Sequence, residues 1–303
     1  MAGRARYIDC SQEILDLMAT LDPALTADID CHLGDPDPED LPGQAKGYRV
    51  LLNGHTNMDG ALLRHLSPEL EKIIFLGTGA SSYIDLKAAD ENGIEIVTIA
   101  NYGDRSVAEH AFALLMAAVR DVARMDREMR QGHWVRSKGM ELKGKTIGIA
   151  GFGGIGRELA EICQGFGLRV MVWNRSPVDL PSGCERAADL AQLFSDCDAV
   201  SLHLAYTETT RRIIGPDLLS SMRPGSVLIN TARAELVDAD ALVHALMHGP
   251  LGHAALDVFE PEPPLPDDPL LTLANVTLTA HIAWNTPDAS RRLLELGLQA
   301  LGR

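Results

Sequence analysis

Gly151, Gly153 and Gly156 stand in the run KGKTIGIAGFGGIGRELA, at the point where a β-type apolar stretch, Thr146 to Ala150, meets a helix-like one. A G-x-G-x-x-G spacing in that context marks a dinucleotide-binding turn. The first glycine allows the tight bend, the second lets backbone N–H groups approach a pyrophosphate, and the third permits close helix–strand packing. Gly154 and Ile155 fill the rest of the turn and the first helical residues. A strand, turn and helix joined in this way commit this part of the chain to an α/β sheet.

Length and charge narrow the partners. A chain of 303 residues fits two domains, each large enough to bury a core. A formal net charge of -15 argues against nucleic acid or an anionic membrane surface, because both need basic patches. An anionic small molecule would need locally placed cations. Cys10, Cys31, Cys163, Cys184 and Cys197 are odd in number and contain no C-x-x-C pair, and no signal-like segment opens the sequence. A reduced, cytoplasmic setting is expected. No apolar run reaches the roughly 18 to 20 residues of a membrane span.

The first hundred residues read as short α and β units: a helix at Ser11 to Ala19, and strands at Arg49 to Asn53, Lys72 to Leu76 and Ile94 to Ile99. A long helix is predicted from Ser106 to Gly132, apolar first and charged later, starting buried between two domains. From Thr146 six strands alternate with helices: Thr146 to Ala150, Arg169 to Trp173, Ala199 to His203, Ser226 to Asn230, Ala254 to Val258 and Val276 to Thr279. That is the pattern of a doubly wound parallel sheet. A last helix, Pro287 to Leu301, could return to the first domain, leaving the reaction to a cleft between the two.

Three residues turn ligand binding into chemistry. Arg233, in VLINTARAELVD, follows an apolar strand and would hold a carboxylate bidentately, although arginine at such a place also serves as a surface or capping residue. Glu262, in LDVFEPEPP, and His281, in TLTAHIAW, each follow another strand. A carboxylate beside an imidazole favours the protonated ring, which can then act as an acid near neutral pH. Singly, each also fits a solvated loop acid or a strand-end histidine. His244 and His248 share a helical face, but no third ligand accompanies them, so no metal is proposed.

Along nearly its whole length, from VAEHAFALLMAAVR through GHWVRSKGMELKGKTIGIAGFGGIG, INTARAELVD, LDVFEPEP and TAHIAW, the chain resembles the D-isomer-specific 2-hydroxyacid dehydrogenase family. The resemblance implies two Rossmann-like α/β domains with doubly wound parallel sheets. It implies that the cofactor domain, residues 101–285, is inserted into a discontinuous substrate domain, residues 1–100 and 286–303, and that the molecule is a homodimer. It implies that Arg233 binds substrate, Glu262 pairs with His281, His281 is the acid/base, and Asp257 contacts the nicotinamide carboxamide. His203, Thr231 and Ala232 join the cofactor set. Thr78, Gly79 and Ala80 are placed on the substrate carboxylate; Thr78 and Ser81 depart from the family's usual G-V-G-x-D loop, so substrate preference is not carried across it. Ala205 likewise replaces a frequent proline.

The tail His281-Ile282-Ala283-Trp284 resembles the glyoxylate/hydroxypyruvate reductase branch, with Trp284 either near a small polar oxo acid or packed at a dimer or domain seam. An acid that would read the ribose 2′-OH is missing after the second cofactor-domain strand, where Asn174-Arg175-Ser176 stand instead. The expectation is NADP(H) before NAD(H), read by these three residues, the alternative being a solvent-facing Arg175 with Asn174 on the 2′-OH. Two other readings stay open: a phosphoglycerate-type dehydrogenase, with Arg105 on a phosphate, and a nucleotide-sensing dimeric binding module without turnover.

Overall fold

The computed structural model describes residues 5–67 and 69–302. Its backbone divides into two units, one running to Gly103 and resuming at Thr286, the other spanning Asp104–Asn285. In the first unit five strands, β1 (Ala5–Cys10), β2 (Ile29–Leu33), β3 (Val50–Asn53), β4 (Lys72–Phe75) and β5 (Glu95–Thr98), pair in parallel in the order β2-β1-β3-β4-β5. In the second unit seven strands do the same: β6 (Thr146–Ala150), β7 (Arg169–Trp173), β8 (Cys184–Arg186), β9 (Ala199–Leu202), β10 (Ser226–Asn230), β11 (Leu251–Leu256) and β12 (Val276–Leu278). Their order is β12-β11-β10-β9-β6-β7-β8.

Central strands β6, β9 and β10 are buried at every residue, as parallel strands covered by helices on both faces must be. Three strands escaped the sequence pattern for opposite reasons. β2 and β8 are half-exposed edges whose polar residues break the apolar run. β1 is central, but it carries Arg6 and Asp9, and Asp9 is 4% exposed. Its carboxylate takes hydrogen bonds from Gly54 N at 2.9 Å, His55 N at 2.7 Å, and Thr56 N and Oγ1 at 2.9 and 2.8 Å. Four donors to a carboxylate offset much of the cost of burying it.

The predicted long helix is two helices, Asp104–Val119 and Val122–Arg130, because Asp121 adopts a left-handed conformation, φ 54°, that interrupts the hydrogen-bond ladder. The break coincides with the change in composition: the first helix buries eight residues and the second none. The last helix, Pro287–Gln299, opens with Thr286 Oγ capping Ala289 N and packs on the first unit's sheet. Leu293, Leu294 and Leu298 enter the cluster of Leu52, Ile74 and Leu76, each contributing roughly 1.5–3 kcal/mol. A Cβ at Gly297 would meet Leu76 Cδ2 at 2.4 Å, so a larger residue there requires the Leu76 side chain to shift.

His253, in β11, is 8% exposed and bonds Thr277 Oγ1 at 2.9 Å. Burial pushes its imidazole down to about 4, outweighing the nearby charge of Asp121. The unfolded chain takes that proton below about 6.5. Between the two values the unfolded state binds more protons, so stability is full above about pH 6.5 and falls as the pH drops toward 4, by about 1.4 kcal/mol per unit for this one group. Urea midpoints measured at pH 7 and pH 4.5 should differ less in His253→Gln than in the parent; an equal difference would remove His253 from the account.

Candidate active site

The carboxyl edge of the seven-stranded sheet carries the predicted residues in spatial order. His281 follows β12, Asp257 and Glu262 follow β11, Thr231 to Arg233 follow β10, His203 follows β9, the glycine turn follows β6 and Asn174 follows β7. The chain leaves β6 toward β7 and β8 and comes back as β9 on the other side, so the turn lies at the switch point where open α/β sheets bind ligands.

At that point the backbones are in direct contact. Gly151 has φ 99°, and a Cβ there would lie 2.4 Å from His203 O. A Cβ at Gly156 would lie 2.4 Å from Gly151 O, which fixes the close packing of the helix Gly154–Gly165 on β6. Gly154 meets the Asp104 carboxylate, whereas Gly153 faces open space. The N–H groups that open the Gly154–Gly165 helix have no intrahelical acceptor, and they suit an anion. His203 Nδ1, past β9, and Thr231 Oγ1, past β10, are buried without a hydrogen-bond partner among the described residues. Orphans of this kind cost about 1–3 kcal/mol each unless a ligand pairs with them. These features fit a dinucleotide. Burial also pushes the His203 ring down to about 4, so it enters such a site neutral.

Asn174 is already engaged: its Oδ1 accepts from Phe152 N at 2.9 Å and its Nδ2 donates to Ser176 O at 2.8 Å. It ties the glycine turn to the β7 loop. Arg175 and Ser176 are exposed, and no hydrogen bond or ion pair among the described residues engages the Arg175 guanidinium. Ile155 is partly buried and packs against the core beneath the turn.

Arg233 is shaped by an asparagine that the sequence reading passed over. Asn230 is 2% exposed; its Oδ1 accepts from Ala232 N at 3.0 Å and its Nδ2 donates to Arg233 O at 2.9 Å. The loop is thereby folded so that the half-buried guanidinium donates to Ala232 O at 2.6 Å and pairs with no acid among the described residues. His281 Nδ1 and Glu262 Oε2 are 2.6 Å apart, and Glu262 Oε1 accepts from Phe259 N at 3.0 Å. One nitrogen of the imidazole is held by an anchored carboxylate, which leaves Nε2 for a reacting group.

Asp257 stands beneath this loop, 0% exposed. Oδ1 takes Thr279 Oγ1 at 2.5 Å and Ile282 N at 3.0 Å, and Oδ2 takes Ala283 N at 2.9 Å. Burial pushes its carboxyl up, but the nearby His110 imidazole and the hydrogen bonds from Thr279, Ile282 and Ala283 outweigh that and hold it below its ordinary value. A carboxamide contact, implied by the resemblance, would be one more donor on a carboxylate that already shapes the His281 loop. Trp284, just beyond, is partly buried. In the first unit the Thr78, Gly79 and Ala80 loop follows β4 and runs into a 3-10 turn at Ala80–Ser82, with Thr78 exposed and Ala80 buried. Arg105 is taken up by Glu109 at 2.7 Å and Glu158 at 3.1 Å. His244 and His248 lie edge to face, 5.3 Å between ring centres.

The model of the D-isomer specific 2-hydroxyacid dehydrogenase NAD-binding domain matches residues 112–283. The chain belongs to this family. D-2-hydroxyacid dehydrogenases are oxidoreductases that act on CH–OH groups. A glyoxylate reductase of Korarchaeum cryptofilum is 37% identical over 270 residues, covering 86% of this chain and 81% of that protein. A D-3-phosphoglycerate dehydrogenase of Archaeoglobus fulgidus is 35% identical over 83% of this chain, which spans about half, 48%, of that protein's length. An acyclic imino acid reductase solved with NADPH and D-Arg has a TM-score of 0.80 at 29% identity, covering 96% of this dehydrogenase chain and 93% of its own.

Proposed function

We propose that this chain is a D-2-hydroxyacid dehydrogenase that reduces a small 2-oxo acid of the glyoxylate or hydroxypyruvate type, preferring NADPH, as a cytoplasmic homodimer. The observation that carries the reading is the 2.6 Å His281–Glu262 pair standing two strand ends away from an arginine with no acidic partner. A bound dinucleotide supplies a hydride. Arg233 holds the substrate carboxylate, which directs C2 rather than the carboxylate at the reacting position. His281 Nε2 gives a proton to the oxygen that becomes the alkoxide, and Glu262 stabilises the imidazolium before that transfer. Asp257 and the Thr231, Ala232 and His203 edge support the nicotinamide half, while Trp284 with Thr78 to Ala80 is assigned to the substrate. Free thiols at all five cysteines support a reducing compartment.

NADPH preference rests on the free Arg175 guanidinium and on the NADPH complex of the imino acid reductase. A charge-assisted bond to phosphate is worth about 1.5–3 kcal/mol. Arg175→Ala therefore lowers the NADPH/NADH ratio of kcat/KM at least about tenfold; an unchanged ratio would mean that Arg175 does not read the 2′-phosphate. The function itself is tested by initial rates with glyoxylate, hydroxypyruvate, pyruvate, phenylpyruvate and 3-phosphohydroxypyruvate. NADPH-linked turnover of the first two is expected to lead. Tight cofactor binding without any turnover would favour a nucleotide-sensing module.

A further inference from the structure

The helix Asp104–Val119 carries one imidazole that the chemistry above does not use. His110 sits one-fifth exposed, with Nε2 3.0 Å from Thr279 Oγ1 and 3.6 Å from Asp257 Oδ1. Proton counting orients the contact. An ionised Asp257 only accepts, so the single hydroxyl proton of Thr279 is committed to its Oδ1 across 2.5 Å. Thr279 Oγ1 is then left as an acceptor, and His110 Nε2 must carry the hydrogen that fills it.

The chain of donors ends at the loop that presents His281. Asp257 holds that loop through its carboxylate, on Ile282 N and Ala283 N, and through its own carbonyl, which accepts from His281 N at 2.8 Å. His281 itself has φ 51°, a conformation that a residue with a side chain keeps only when its surroundings impose it. The loop is therefore held against a local strain by one buried carboxylate, and Thr279 gives that carboxylate a side-chain hydrogen bond beside the two backbone ones.

We propose that His110 is a positioning residue for His281. As a donor to Thr279 it locks the hydroxyl onto Asp257, and Asp257 in turn keeps the His281 ring facing Glu262 with Nε2 outward. The proposal rests on the assignment of His281 as the acid, but the geometry it claims exists in the protein without substrate.

The test compares His110→Phe, which keeps a ring without a donor, with His110→Gln, whose amide nitrogen reaches the place of Nε2, and with Thr279→Val. Two readouts are taken: the carbon-bound ring protons of His281 followed by NMR against pH in the protein without ligand, and kcat and KM for the oxo acid that the parent reduces best. The Phe and Val variants are expected to move the His281 ring resonances away from their parent positions and to lower kcat about tenfold with little change in KM, and the Gln variant to recover most of both. Thermal unfolding of all three identifies any variant that fails to fold. Identical His281 behaviour in folded His110→Phe and parent would overturn the proposal, as would equal losses in the Phe and Gln variants. If the parent reduces no oxo acid, the functional reading fails while the NMR arm still decides the role of His110.

Discussion

Replacing His281 by alanine lowers the rate of oxo acid reduction by about 10²- to 10⁴-fold, the range that a positioned acid contributes, while the affinity for the dinucleotide stays near that of the parent. The separation follows from the layout of the edge. His281 lies past β12, whereas the glycine turn lies past β6, four places away in the order of the sheet. Glu262→Gln is the finer probe. It keeps a hydrogen-bond partner 2.6 Å from Nδ1 but removes the negative charge. On the proposed mechanism that charge stabilises the proton-donating form of the ring, so its loss is expected to lower kcat for reduction while KM changes little. Steady-state kinetics of the two proteins check this; an unchanged kcat would deny Glu262 its role.

Arg233→Ala lowers kcat/KM for every 2-oxo acid by roughly 30- to 5,000-fold, from the about 2–5 kcal/mol lost when one partner of a buried charge pair is removed. Much of the effect is expected in KM if, as proposed, the guanidinium holds the carboxylate in the ground state and the transition state alike. Arg233→Lys recovers only part of it, since a lysine cannot offer the planar fork. Steady-state kinetics of both variants give the result. A loss confined to NADPH affinity would place Arg233 on the cofactor instead.

Much of the reacting edge was legible because the residues follow apolar strands that read as short continuous apolar runs, as strands buried on both faces do. β6, β7 and β10 lie where the sequence puts them, at Thr146–Ala150, Arg169–Trp173 and Ser226–Asn230. What escaped was polar and buried. β1 hides behind Asp9, whose burial makes sense only once Gly54, His55 and Thr56 are seen to donate to it. His55 also meets Asp35 at 2.6 Å, a pairing across twenty positions that no local pattern announces. Asn230 reads as the end of a strand, yet it staples the Arg233 loop. His110 reads as one polar residue on an apolar helix, and its partner Thr279 is 169 residues away. The break at Asp121 was hidden too, because aspartate is a tolerated helix residue and nothing in DVARMD demands a left-handed turn.

The most direct test follows the hydride itself. The parent protein is given NADPH carrying deuterium at the transferable C4 position together with hydroxypyruvate, and the product is analysed by NMR and chiral chromatography. The account predicts D-glycerate with deuterium bonded to C2, formed in step with NADPH oxidation and nearly abolished in His281→Ala. NADPH that binds but is not oxidised, or a product without deuterium at C2, would contradict it.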